Sequence, residues 1–331
     1  MNRFFLMTVL VFSSIVLFYI SCKKEEKEED DDIDPRLKIV EGFSFDNYPK
    51  VDGSTSTAPL NTLIACKLLG IKHQWMQKSG LWEIEPILKL KKNSENFQRL
   101  IKTSQTHQSF INLIKKEADI ILSARKMSPD ERTYADDAGV SLIETPIALD
   151  AFIFIIHPNN PIESLSIEQI QDIYVGKITN WKEIGGNDIT INPYIRNANS
   201  GSQELMESLV MKGLGFMEFP QSPEIPIIPT TIFDMIVVID RVSQEINSIC
   251  YTVFYYKEEI LRNLYITKSI AIESVYPDKE SISNNSYPLV AEVYAVIRSD
   301  LDKSSMAYKL FELLQTETGK EVISESGYLP N

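Results

Sequence analysis

Histidine and cysteine are scarce in this chain, three of each among 331 residues. His73, His107 and His157 do not stand at helical ligand spacing with one another, and no cysteine pair accompanies them. That excludes the usual structural zinc patterns, and neither a metal site nor a cofactor is expected. Basic residues are outnumbered, 33 Lys and Arg against 46 Asp and Glu, for a formal charge of −13. A surface of that sign repels a polyphosphate backbone, so no nucleic-acid partner is expected. A nucleotide-binding phosphate loop is also missing: Gly176-Lys177 is followed by isoleucine and lacks the upstream glycine. There is no repeat of fixed period and, beyond the N-terminal region, no low-complexity segment, which sets aside solenoids and propellers. The uncharged run from Phe4 to Phe18 is too short for a comfortable membrane span.

That run follows Met-Asn-Arg and reads as an export signal covering residues 1–21. "YISC" at its end looks like a lipobox, where bacterial signal peptidase cuts before a diacylglyceryl-modified cysteine. Cys22 is therefore the expected lipidation site and first mature residue. Residues 22–36 read as an acidic disordered tether, since "KKEEKEEDDDID" carries eight acids, three lysines and a single isoleucine. The chain is expected to be exported and lipid-anchored at the bacterial cell envelope, on the periplasmic face or the outer-membrane surface. It is expected to act as a monomer.

The remaining ~300 residues suffice for a large core, and chains of that size tend to divide into two domains. Cys66 and Cys250 are far apart in sequence on unlike elements and are expected as free, buried thiols. Helix-like and strand-like stretches alternate. "LKIVEGF" reads as a strand and "APLNTLIACKLLG" as a helix with Thr57 at its cap and Gly70 after its end. "SFINLIKKE" reads as a helix, "ADIILSAR" as a strand, and "IALDAFIFIIHP" as a strand buried on both faces. Ser166 and Gln169 open a helix in capping-box spacing, and another helix closes at Gly213. "YPLVAEVYAVI" is a strand before two terminal helices. The alternation predicts α/β layers with mostly parallel sheets.

Three helix starts are rich in hydroxyls: Ser54, Thr55 and Ser56; then Ser104 and Thr106; then Ser200 and Ser202, with Gly201 between them. Helix N-termini carry free N–H donors and partial positive charge, so each is a seat for an oxyanion. Each hydroxyl also suits an ordinary helix cap, and Gln203 stands at capping-box distance from Ser200. Arg125 and Arg196 end predicted strands, where side chains project into the crevice at a sheet's carboxyl edge. Their guanidinium forks suit phosphate or carboxylate.

Several stretches together resemble the periplasmic phosphate-binding proteins of ABC transporters, the PstS-like family with the type 2 periplasmic-binding fold. These are "GSTSTAPL", "ADIILSARKMSPDE", "TPIALDAFIFIIHPNNPIESLSIEQIQDIYVGKITNWKEIGG", "IRNANSGSQE" and the terminal "GYLP". The resemblance implies two α/β lobes with a central cleft and two crossover strands: residues 37–145 plus 257–331, and residues 146–256. It implies a solute-binding lipoprotein, not an enzyme, that takes phosphate or a related tetrahedral oxyanion and partners ABC permease subunits. Ser54, Thr55 and Ser56 would hold the anion, Arg196 would neutralise it, and Ser200, Gly201 and Ser202 would close round it. Asp150, at the crossover, would reach the site. Some relatives place an aspartate where this chain has Arg125, and an acid commonly follows the ligand arginine by two, where it has Ala198. Such a carboxylate accepts the proton of hydrogen phosphate and thereby rejects sulfate. Selectivity here would fall to Asp150, His107 or a backbone carbonyl, or be weaker.

Two other readings compete. "SARK", Ser123 to Lys126, fits the Ser-x-x-Lys of penicillin-interacting serine acyltransferases, although the companion Lys-Ser-Gly, Lys78 to Gly80, lies upstream rather than downstream. A transporter-independent surface lipoprotein for anion capture or sensing would use the same cleft.

Overall fold

The computed structural model describes residues 31–217 and 233–331. The export signal, Cys22 and most of the acidic stretch lie outside the described residues. Contacts group residues 32–331 into one unit. Its first residues differ from the expected tether. Asp32 is buried, and its carboxylate accepts the backbone N–H groups of Lys89 and Leu90 at 2.7 and 2.9 Å. Ile33 bridges to Ile71, and Asp34 caps a single turn, Pro35–Leu37. Carboxylates counted as solvated therefore serve as acceptors for folded backbone, which docks the stretch before Arg36. "LKIVEGF" is not a strand either. Ile39 and Val40 pack against the core, with Ile39 N–H donating to the Lys67 carbonyl at the end of the first helix.

The first strand of the central sheet is β1, Val51–Gly53, followed by α1, Ala58–Leu69. α1 ends as expected at Gly70, whose φ of 75° is the left-handed cap that glycine adopts without strain. A hairpin of β2, His73–Lys78, and β3, Leu81–Pro86, leads to α2, Lys91–Leu100, and α3, Thr106–Ile114. β4, Ile120–Ser123, and α4, Pro129–Asp137, precede the long β5, Leu142–Ile156. From Ile147 onward β5 is buried throughout, as its apolar run predicts.

Short β6, Ser164–Leu165, leads to α5, Ile167–Tyr174, with the predicted Ser166/Gln169 capping box in place. β7, Asn192–Pro193, and α6, Gly201–Leu205, come next, α6 running on into a π-helical turn, Met206–Met211. α7, Phe233–Gln244, and β8, Ser248–Val253, are followed by β9, Lys268–Ser269, β10, Ala271–Ile272, and α8, Lys279–Ser283. β11, Val290–Arg298, precedes the expected pair of terminal helices, α9, Met306–Leu313, and α10, Glu317–Glu325, and then β12, Leu329–Pro330.

The main sheet has the order β1-β4-β11-β5-β8-β7. It is mixed rather than mostly parallel. β1–β4 and β7–β8 are parallel, whereas β11 runs against both β4 and β5, and β8 runs against β5. The reason is the route of the chain: β11 returns late and inserts between two strands that lie adjacent to it only in space. The first part of β5 pairs with β11 up to Ala151, and the rest, from Phe152, pairs with β8. β5 thus carries the chain from one half of the sheet to the other. Phe152, Phe154, Tyr174 and Tyr251 interlock where it arrives, with Phe152 and Phe154 edge to face at 5.4 Å. Trp181 is fully buried, its indole N–H donating to the Asn247 carbonyl at 2.9 Å. Cys66 and Cys250 are free and buried, and burial pushes the Cys66 thiol up to about 12.

Candidate functional site

The first loop is fixed by packing beneath it. A β-carbon on Gly53 would stand 2.5 Å from the Leu122 carbonyl oxygen and 2.7 Å from Thr57 Oγ1, so only glycine lets β1 turn this tightly over β4. Thr57 stands at the N-cap of α1 as expected, but its side chain makes no cap bond. Its hydroxyl donates to the carbonyls of Ser54 and Leu122, both at 2.9 Å, clamping the loop to β4. Residues Thr55–Thr57 form a short 3-10 turn whose leading N–H groups have no partner within the turn.

Asp52 joins this loop to the second. Its buried carboxylate accepts the N–H groups of Gly53 and Ser104, each at 2.8 Å, and Asn112 Nδ2 at 2.7 Å. Ser54 Oγ accepts from Ala124 N–H and lies 2.9 Å from Thr106 Oγ1. Before α3, Gln105 holds φ 70° and ψ 165°, a region that residues other than glycine occupy only under strain. The third loop differs from the expected capping box. Ser200 makes no cap bond, and its hydroxyl lies 3.0 Å from Ser202 Oγ. Gln203 instead uses its amide oxygen to accept from Arg196 N–H, at 3.0 Å, and from the Tyr251 hydroxyl. Burial, the largest influence, raises the pKa values of Tyr251 and Cys250, while the positive charge of Arg196 acts in the opposite direction on both.

The three loops converge on a cavity of about 50 Å³. Ser54, Thr55, Ser56, Thr106, Arg196, Ser200, Gly201 and Ser202 all line it. At roughly 10–15 Å³ per water-sized group, such a space takes about three to five of them, the size of a small oxyanion. Gln105, Asn197, Ala124, Leu205, Met235 and Val253 complete the wall. Gln105 and Asn197 lie inside the same serine-rich stretches, but an amide is as common on an ordinary loop as at a ligand and so gives no signal of its own. Met235 and Val253 gave no signal in the sequence.

Four expected residues stand elsewhere. Ser104 lies behind the cavity, its N–H on Asp52 and its hydroxyl accepting from Asn112 at 3.3 Å. Arg125 is 4% exposed and points its guanidinium at Glu131, with two bonds of 2.8 Å. Glu131 is itself fully buried and also meets His107 Nδ1 at 3.0 Å. A carboxylate six residues on, in the first turn of α4, captures Arg125, which a strand-end position in the sequence could not reveal. His107 is likewise engaged away from the cavity. Asp150 is buried in β5, where one carboxylate oxygen accepts Ala151 N–H at 2.8 Å and Tyr255 N–H at 2.9 Å. Burial pushes its pKa up to about 7, against those two bonds.

The acyltransferase geometry is not assembled. Ser123 is buried with its hydroxyl donating to the Arg125 carbonyl at 2.6 Å, and the Lys126 ammonium sits 5.5 Å over the Tyr294 ring. No group of three or more His, Cys, Asp or Glu suited to a metal ion occurs among the described residues, nor any helix long and apolar enough to cross a membrane.

The phosphate-binding protein PstS of Borreliella burgdorferi is 28% identical over 74% of this chain and 84% of its own. PstS of Pseudomonas aeruginosa is 25% identical over 62% of this chain and 66% of its own, so the chain spans just under two thirds of that relative. An ABC-type phosphate transport receptor from Vibrio cholerae shares the fold with a TM-score of 0.56 and 21% identity, over 85% of this chain and 98% of the receptor. The PBP superfamily domain matches residues 76–311, most of the folded chain, and the protein therefore belongs to the PBP superfamily.

Proposed function

We propose that this protein binds inorganic phosphate, or a closely similar tetrahedral oxyanion, as the solute-binding component of an ABC phosphate transporter. The observation that carries this reading is the convergence of three helix starts, six hydroxyl side chains and Arg196 on one small cavity. Hydroxyls and leading N–H groups supply donors, and the guanidinium supplies counter-charge. The named functions of the PstS relatives point the same way. Binding rather than catalysis fits, because the lining offers donors without a paired nucleophile and base.

Two lobes, residues 37–145 with 257–331 and residues 146–256, closing on the anion are the accompanying architecture. The crossing of β5 from one half of the sheet to the other supports it. Permease subunits are the implied partners. Lipidation at Cys22 would hold the protein at the cell envelope, with a Cys22→Ala chain expected in the soluble fraction.

No carboxylate lines the cavity among the described residues. Discrimination of hydrogen phosphate from sulfate then rests on hydroxyl, amide or carbonyl oxygens as proton acceptors. Calorimetry of the mature protein with phosphate, sulfate, arsenate and molybdate tests the function. Micromolar or tighter binding of phosphate supports it, and absence of binding to every one of these anions overturns it.

A further inference from the structure

The anion loop is held from behind by a residue that touches neither the cavity nor its neighbours in sequence. Tyr328 is buried, and its hydroxyl donates to the Ser56 carbonyl at 3.1 Å, across 272 positions of chain. Its ring stacks flat on that of Tyr255, with centroids 3.6 Å apart and planes within 4°. Tyr255 is fixed at both ends. Its hydroxyl donates to the Ser326 carbonyl at 2.7 Å, and its backbone N–H donates to Asp150 at 2.9 Å. Asp150 lies in β5 and Tyr255 just past β8, so this bond pins together the two runs that pass between the halves of the sheet. An unbroken path thus leads from the crossover to the loop that lines the cavity.

We propose that Tyr328 is a positioning residue for the anion loop, and that Asp150, Tyr255 and Tyr328 form a relay through which the state of the crossover sets anion affinity. The proposal rests on the anion-binding reading for its consequence, though the relay itself does not need a ligand.

The relay responds to pH. Asp150 is buried, its second carboxylate oxygen meets no donor among the described residues, and its pKa is pushed up to about 7 by burial. Among the described residues, the ionisable side chains that feel its charge are Tyr255 and Tyr328, both neutral in this range. Its register partner on β11, Ala291, carries no charge, and neither does Leu329 on β12, which pairs with Leu149. Above neutrality the carboxylate is a charge-assisted acceptor for Tyr255 N–H, and below it the neutral acid is a weaker one. The hold on the loop therefore changes between pH 6 and pH 8, ionisation strengthening the bond to Tyr255 N–H while the burial cost of the charge works against the fold around it.

The test combines amide hydrogen exchange over residues 54–58 with phosphate calorimetry, at pH 6 and pH 8. Tyr328→Phe keeps the stack and removes only the hydroxyl. Loop exchange should rise about five- to tenfold relative to the parent at the same pH, with phosphate affinity falling by a similar factor. Amides of α10 should keep their protection, which a general loss of packing would not allow. For Asp150→Asn, the ratio of its Kd to the parent's should change about threefold or more between the two pH values, since the ionisation of phosphate cancels in the ratio. Unchanged loop exchange in Tyr328→Phe, or a ratio flat with pH, overturns the relay. If the parent binds no phosphate, the functional reading fails and the exchange data alone decide the relay.

Discussion

Gly201, at the start of α6, lies so close to Thr106, at the start of α3, that a β-carbon on the glycine would stand 2.5 Å from the threonine hydroxyl oxygen. Two of the three hydroxyl-rich helix starts therefore meet in direct contact beside the cavity that both line. Gly201→Ala should force them apart by several tenths of an ångström or more. Donors aimed at one anion do not tolerate that displacement, so phosphate affinity should fall by about tenfold or more, with a smaller change in stability. Calorimetry together with denaturant unfolding separates the two. Undiminished affinity would mean that the two helix starts do not act on one ligand.

Arg196→Ala removes a cation from the wall of the cavity. The expected loss is about 3–5 kcal/mol of binding free energy, roughly a hundred- to several-thousand-fold in Kd. Phosphate titration reads it directly, and a Kd equal to the parent's would place the arginine outside the binding machinery.

Gln105 carries a backbone conformation suited to glycine at the lip of the site. Gln105→Gly should relieve strain on the order of 1–3 kcal/mol, offset by the greater freedom glycine gains when unfolded. A net stabilisation of about 1 kcal/mol is expected in urea unfolding, and no gain would show that the conformation costs nothing.

Arg125→Ala acts on stability rather than on binding. It strands the fully buried Glu131 without its guanidinium partner, which typically costs about 3–5 kcal/mol. Unfolding midpoints should drop accordingly while the phosphate Kd of the folded fraction stays within a few-fold.

Asp150 sets a pH dependence whose sign follows from linkage. Its folded pKa, about 7, stands above the ordinary carboxylate value near 3.9. Between those values the folded chain holds one more proton than the unfolded chain, so the Asp150 contribution to stability declines as pH rises through that window. The slope is at most about 1.4 kcal/mol per pH unit. Unfolding free energies at pH 5 and pH 7 should differ less in Asp150→Asn than in the parent.

The sequence by itself determined most of the helices, the buried strand and the hydroxyl-rich character of the cavity. Periodicity and end signals gave α1 with its Gly70 cap, α5 with its Ser166/Gln169 box, the buried run of β5 and the two terminal helices, because these depend on contacts within a few residues. Hydroxyl-rich helix starts and Arg196 marked the cavity for the same reason: a helix end exposes its donors whatever it packs against. Only the tertiary structure decided which of the marked groups meet. Nothing local says that β11 inserts antiparallel between β4 and β5, that Glu131 takes Arg125 out of reach, or that Gln203 leaves Ser200 to hold Arg196 and Tyr251 instead. The Tyr328 hydroxyl on the Ser56 carbonyl was equally beyond reach, since two groups 272 residues apart are brought within hydrogen-bond distance only when the whole sheet has formed.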